Sequence, residues 1–156
     1  NISRWEVVIG ATDLSHLGPE AELRHIQRVL VHQDYEASTA WNNIALLELD
    51  RPVECSDYIQ LACVPDSSLA VPELKTCYIA GWRATAGSAP DPSLPAQGDS
   101  GGPLVCKDNV GDYFWLVGLA SWGRGCAGDR RPGIFTSTQH FRGWIQAQLG
   151  LAARES

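Results

Sequence analysis

The chain has 156 residues, 44% hydrophobic and 19% charged, with six tryptophans, so it can bury a core and is not a disordered composition. Eighteen acidic against twelve basic residues leave a formal net charge of −6, which gives no case for nucleic-acid binding. No run of 18 apolar residues exists, which excludes a helical membrane span.

Asn1 to Trp5 carries no apolar signal-peptide core and reads like the middle of a domain, in a chain without methionine. Asn1-Ile2-Ser3 is an N-glycosylation sequon, which fits a secretory route. Trp5-Glu6-Val7-Val8-Ile9-Gly10-Ala11 is an apolar run ended by glycine and predicts a strand. Asp13 to Glu20, with its Leu17-Gly18-Pro19 signal, predicts a loop. Leu23 to Val31 alternates polar and apolar residues until its end, as a half-buried strand does, and His32-Gln33-Asp34-Tyr35 then leaves the sheet. Ala40 to Leu49 ends in an apolar run from Ile44. Pro52 to Cys55 and Ile59 to Pro65 bring two of the five cysteines, Cys55 and Cys63, within eight positions. Zinc does not fit them, because no C-x2-C or histidine pair stands nearby.

Thr76 to Trp82 predicts another strand. Residues 84–96 show no periodicity and hold three prolines, so this Pro-rich insert cannot be a core strand. Phe114 to Trp122 is a buried-type strand. Phe141, Trp144, Ile145, Gln148 and Leu149 stand at helical spacing and predict a helix over 138–149. Ser137 or Thr138 is its expected N-cap and Gly150 its expected C-terminal cap. Arg124, Arg130, Arg131 and Arg142 form a local basic cluster, either a solvated face or a weak anion-binding patch. No internal repeat is visible.

The most informative stretch is Gln97-Gly98-Asp99-Ser100-Gly101-Gly102-Pro103-Leu104-Val105. Glycines on both sides of a serine allow turns that a side chain would block. Such a turn can present the hydroxyl at its apex and aim backbone N–H groups at a developing oxyanion. Ser121-Trp122-Gly123, Cys126 and Pro132-Gly133-Ile134-Phe135 follow. In this order the motifs resemble the C-terminal half of the chymotrypsin/trypsin-like serine proteases. The closely spaced Cys55 and Cys63 resemble the acrosin-like branch, in which a short light chain is disulfide-linked to the catalytic chain.

The resemblance implies an all-β, two-barrel fold, partial in both barrels, with a C-terminal helix. Residues 1–65 would be the remainder of the first barrel and the connection, and residues 76–156 the second barrel with its insert. The implied activity is peptide-bond hydrolysis through an acyl-serine, in a secreted or secretory-vesicle setting, the acrosome-like granule by resemblance. The substrate would be protein or peptide, and no cofactor or metal is implied. Ser100 would be the nucleophile, with Gly98 and Ser100 supplying the oxyanion donors. Asp99 would be the carboxylate that latches onto the new N-terminus of an activated zymogen. Ser121, Trp122, Gly123 and Gly133 would contact substrate. Cys77 would pair with Cys106, Cys55 and Cys63 would face a light chain, and Cys126 would be free, because Ala96 occupies its partner's position.

The chain also departs from the pattern. Trp41-Asn42-Asn43-Ile44-Ala45-Leu46-Leu47 resembles the segment that carries the triad aspartate, with Asn43 at that position. None of the four histidines, His16, His25, His32 and His140, lies in the family's Ala-Ala-His-Cys setting, so the general base is expected to be absent. The segment that carries the pocket floor is missing, and Leu94 stands where trypsin-like members have an aspartate. The implied product is an inactive chain. The alternatives are a pseudoprotease that binds a glycoprotein or sulfated glycan, and a nonfunctional partial gene product.

Overall fold

The computed structural model describes residues 2–82, 100–121 and 134–153. These form two antiparallel sheets and one C-terminal helix, in two compact units, Asn1–Leu61 and Ala62–Ser156.

The first unit follows a short 3-10 turn, Ile2–Arg4, with strands β1 (Glu6–Ile9), β2 (Glu22–Val31) and β3 (Ala45–Leu49), paired in that order. The ten-residue β2 uses its first half for β1 and its second half for β3, with a register shift between Ile26 and Arg28. Gly10 ends β1 at φ +79°, a left-handed conformation that favours glycine. A Cβ there would also stand 2.7 Å from the Ile59 side chain, one of the unit's buried residues.

The alternation of β2 runs opposite to simple expectation at its start. Arg24 is buried, while Leu23 is 40% exposed. The guanidinium tolerates burial because its donors are matched. Its Nε donates to the carbonyls of Arg51 and Pro52 at 3.2 and 3.1 Å, and its head also reaches the Leu23 carbonyl and the Glu22 carboxylate. A charged side chain thus ties β2 to the chain leaving β3.

The second unit has β4 (Cys77–Ile79), β5 (Pro103–Lys107), β6 (Phe114–Ser121) and β7 (Ile134–Ser137), in sheet order β4-β5-β6-β7. Its core holds Cys106, Val117, Thr138 and Phe141. Helix α1 spans Thr138–Ala153. Ser137 Oγ accepts the His140 N–H at 3.2 Å, so Ser137 is the capping side chain. Thr138 is instead buried, and its hydroxyl donates to the Leu116 carbonyl. The helix does not stop at Gly150 as expected. It continues to Ala153, since Leu151, Ala152 and Ala153 favour helix and one glycine costs only about 1 kcal/mol. Leu149, expected on its apolar face, is 63% exposed.

The connector 62–75 is laced onto this second unit. Leu116 N–H donates to the Cys63 carbonyl at 2.8 Å, Arg142 to the Val64 carbonyl at 2.9 Å, and Gln139 to the carbonyls of Asp66 and Leu69. Asn109 joins it at Glu73 and Lys75. Residues 62–65, grouped by sequence with the first barrel, therefore belong to the second compact unit.

Candidate active site

The serine turn is built from the end of the β5–β6 ladder. Ser100 is exposed, and Gly101 beside it has φ +88°, which a side chain rarely adopts. The Gly101 N–H donates to the Ala120 carbonyl at 2.8 Å, and the Ala120 N–H donates to the Gly102 carbonyl at 2.8 Å. Pro103 then pairs with Leu119 and starts β5. Ser100 is therefore fixed on its C-terminal side by main-chain bonds to β6, one residue before Ser121. The nucleophile candidate and the first of the expected substrate-contacting residues stand at the same end of one strand pair. Sequence reasoning missed Ala120, whose part is played by backbone alone; the Gly101-Gly102 doublet was the visible half of the signal.

The ladder is clamped further along. Cys77 and Cys106 are directly opposite on β4 and β5 and are joined by a disulfide, with their Cα atoms 4.0 Å apart. Beyond Lys107, the turn to β6 is organised around Asp108. Its carboxylate accepts from the N–H of Gly111 at 2.7 Å and of Val110 at 3.1 Å, and from the Trp115 indole at 2.9 Å. These donors, Gly111 first, hold the Asp108 carboxyl below its ordinary value of 3.8. Desolvation, then the Asp108 charge, push the Tyr113 phenol up. Tyr113 lies edge-on to Trp115 at 5.4 Å.

In the first unit Asn43 sits between Asn42, at φ +52°, and Ile44, the unit's most buried aliphatic residue. The Ile44 carbonyl accepts from His32 N–H at 3.1 Å, and the Asn42 amide donates to the Asp34 carbonyl at 2.9 Å. Asn43 therefore precedes β3 instead of lying in it. The preceding turn is closed by Glu36, whose carboxylate accepts from Ser38 and Thr39.

The four histidines are spread over the chain. His25 lies between two carboxylates, Glu6 at 3.9 Å and Asp50 at 3.7 Å. Asp50 is held below its ordinary value, chiefly by the His25 N–H, which it accepts at 3.0 Å. His32 Nδ1 accepts from the Asp34 N–H. His16 is an exposed loop residue, and His140 lies in the first turn of α1 against Phe141.

Asn1, Gly98, Asp99, Trp122, Gly123, Cys126 and Gly133 lie outside the described residues, as do the insert 84–96 and Arg124, Arg130 and Arg131. Cys55 and Cys63 are exposed and carry no disulfide. Among the described residues no group of three or more His, Cys, Asp or Glu side chains could hold a metal. No described helix is long and apolar enough to cross a membrane.

Two antiparallel sheets, a cross-strand disulfide and a glycine-flanked serine at the end of the ladder define a protein of the chymotrypsin-like kind, partial in its two barrels. The Trypsin family model matches residues 1–94 and 86–145, and the chain belongs to that family. It is 33% identical over 181 residues of alignment to Transmembrane protease serine 9 of Rattus norvegicus, with 92% of this chain and 17% of that protein covered. It is also 33% identical over 187 residues to Suppressor of tumorigenicity 14 protein homolog of Bos taurus, with 96% and 22% covered. The chain thus spans about a fifth of the length of these relatives. Since 92% of 156 residues is about 144, the first alignment holds about 37 positions with no counterpart in this chain. The second gives the same surplus, 187 against about 150.

Proposed function

We propose that the chain is a serine endopeptidase domain of acrosin-like type whose nucleophile position, Ser100, is retained, and that these 156 residues do not hydrolyse peptide bonds. The observation that carries the reading is the Ser100 turn, locked by Gly101 and Gly102 onto Ala120. In the acyl-transfer route the serine oxygen attacks the scissile carbonyl while a histidine takes its proton and later passes it to the leaving amine. A carboxylate holds that histidine in the correct tautomer and stabilises its positive form. Asn43 carries no charge, and its amide nitrogen is a donor where an acceptor is required. In a well-studied member of the family the same Asp→Asn exchange lowers kcat by about 10⁴-fold. The histidines of this chain are engaged elsewhere or surface-placed, and none stands in the family's base motif.

Gly98 and Ser100 would supply the oxyanion donors, Asp99 would be the zymogen latch, and Ser121, Trp122, Gly123 and Gly133 would line the substrate groove. The exposed thiols of Cys55 and Cys63 support the acrosin-like subtype, since both are accessible to a second chain. Cys126 would be a third unpaired thiol. The Cys77–Cys106 disulfide supports an oxidising, extracytoplasmic setting such as a secretory granule, and Asn1 would be the glycosylated position. Incubation with peptide esters and amides bearing basic, aromatic or small side chains should give no acyl-Ser100 species by intact mass. Accumulation of one overturns the reading.

One observation favours a second reading, a nonfunctional partial product. About 37 alignment positions lack a counterpart, and the family match breaks within residues 86–94. Transcript sequence across Trp82 to Gln97 tests it; recovery of a continuous longer segment there, with aspartate for Asn43, would restore the active-protease reading for the native protein. The glycan-binding alternative is weaker, because the net charge of −6 argues against tight polyanion binding.

A further inference from the structure

We infer that the Leu61–Ala62 peptide bond is a processing site, open to an endopeptidase whose primary pocket takes a large apolar side chain. The inference stands apart from the catalytic reading, since the hydrolysing enzyme is a second protein. Leu61 is 86% exposed, and among the described residues only Val110 is a more exposed large apolar side chain. A single exposed leucine is ordinary on a protein surface. Its main chain is what sets this one apart. Among the described residues no hydrogen bond reaches the N–H or carbonyl of Gln60, Leu61 or Ala62.

The large apolar residues closest to it in exposure all have their main chain held. Trp5 N–H donates to the Ile2 carbonyl, and the Trp41 carbonyl accepts from Glu36 N–H. Tyr58 N–H donates to Ser56 Oγ and Val110 N–H to the Asp108 carboxylate. Ile134 pairs with Ser121 in β7, and Leu149 lies in α1. The open stretch at 60–62 is also pinned on both sides. Ser56 and Ile59 exchange main-chain bonds at 2.9 and 3.3 Å, and Ile59 is buried. Beyond the stretch, the Cys63 carbonyl accepts from Leu116 and Pro65 is fully buried. Three residues thus stand free between two anchors and are reached without melting a strand or helix.

An endopeptidase pairs with the free main chain of its substrate and takes one side chain into its pocket, so nicking concentrates at exposed, unbonded segments. The side chain on offer fixes the class of enzyme. The nearest basic residues are Arg51 and Lys75, so a pocket built for Arg or Lys finds no anchor here. Leu61 fits an apolar pocket, and the small Ala62 follows it. Hydrolysis adds one water across the C–N bond, leaving a carboxylate on Leu61 and an amino group on Ala62. Leu61 closes the first compact unit and Ala62 opens the second, so the cut severs no strand and leaves each sheet whole in its own fragment.

The test is limited digestion of the folded full chain with chymotrypsin, followed over time by intact mass. Within residues 2–82 the first cut is expected after Leu61, giving a fragment that begins at Ala62, with far-UV dichroism unchanged. Leu61→Asp should slow that cut at least about tenfold, because an apolar pocket rejects a carboxylate. Leu61→Arg should bring the same bond within reach of trypsin, which then cuts it ahead of the bonds after Arg24 and Arg28 in β2. A first chymotryptic cut at Trp5, Trp41 or Tyr58 overturns the inference, and so does a rate indifferent to Leu61→Asp. Trypsin leaving the bond intact in Leu61→Arg also overturns it, because the main chain is then closed whatever the side chain. Should either variant fail to fold by near-UV dichroism, the position of the first cut in the unaltered chain decides.

Discussion

The two units hold their candidate functional residues by different means. In the second unit the serine turn is held by two main-chain bonds to β6 and by a glycine at φ +88°, on a ladder clamped by the Cys77–Cys106 disulfide. In the first unit the segment before Ile44 forms a turn, with Asn42 in the left-handed region, and the residue proposed for the triad position, Asn43, is an amide. On the proposed reading, the turn is built and its side chain carries no charge.

The largest effect expected is on the second unit. Changing Cys77 and Cys106 together to Ser should cost about 2–4 kcal/mol of its stability, read by urea unfolding with the first unit's transition unchanged. Arg24→Ala is the mirror experiment. It strips hydrogen bonds from the carbonyls of Arg51 and Pro52 and should lower the first unit's stability by about 2–3 kcal/mol while leaving the second alone. If both substitutions shift both transitions equally, the two units are one cooperative body and the comparison fails. Gly101→Ala has open space for its Cβ but an unfavourable φ, so about 1–2 kcal/mol of local strain is expected, seen as faster exchange of the Ala120 amide.

Acid gives a smaller and directional effect. The folded Asp108 carboxyl is held below 3.8, its ordinary value. The stability it contributes is therefore complete above that value and is lost as pH falls through the lower, folded one. Thermal melts below about pH 4 should show the second unit weakening, and Asp108→Asn should flatten that slope. The smallest effect is none: Asn43→Asp alone should not produce peptide hydrolysis in this chain, because no histidine stands in the base position. Appearance of turnover would show that one of the four histidines serves.

Much of this was legible in the sequence, for physical reasons particular to each residue. Gly101 beside Ser100 announces a turn because its φ of +88° favours glycine, while β1 and β6 announce themselves by apolar runs and β2 by the alternation of polar and apolar residues. Other features rest on partners far along the chain. Nothing local says that Arg24 faces inward and Leu23 outward, since the deciding carbonyls belong to residues 51 and 52. Gly150 looked like a helix end, but a glycine followed by good helix formers need not stop one. The connector's place in the second unit depends on Gln139 and Arg142, more than seventy residues away. The serine turn's anchor, the main chain of Ala120, has no side-chain signature at all.

The central claim is that Ser100 occupies a built nucleophile turn without the machinery to activate it. A fluorophosphonate probe reads that state directly, since it phosphonylates a serine only when base and oxyanion donors act together. The account predicts no adduct on Ser100 by intact mass and peptide mapping over hours of incubation at neutral pH. Time-dependent, stoichiometric labelling of Ser100 in this chain would contradict it.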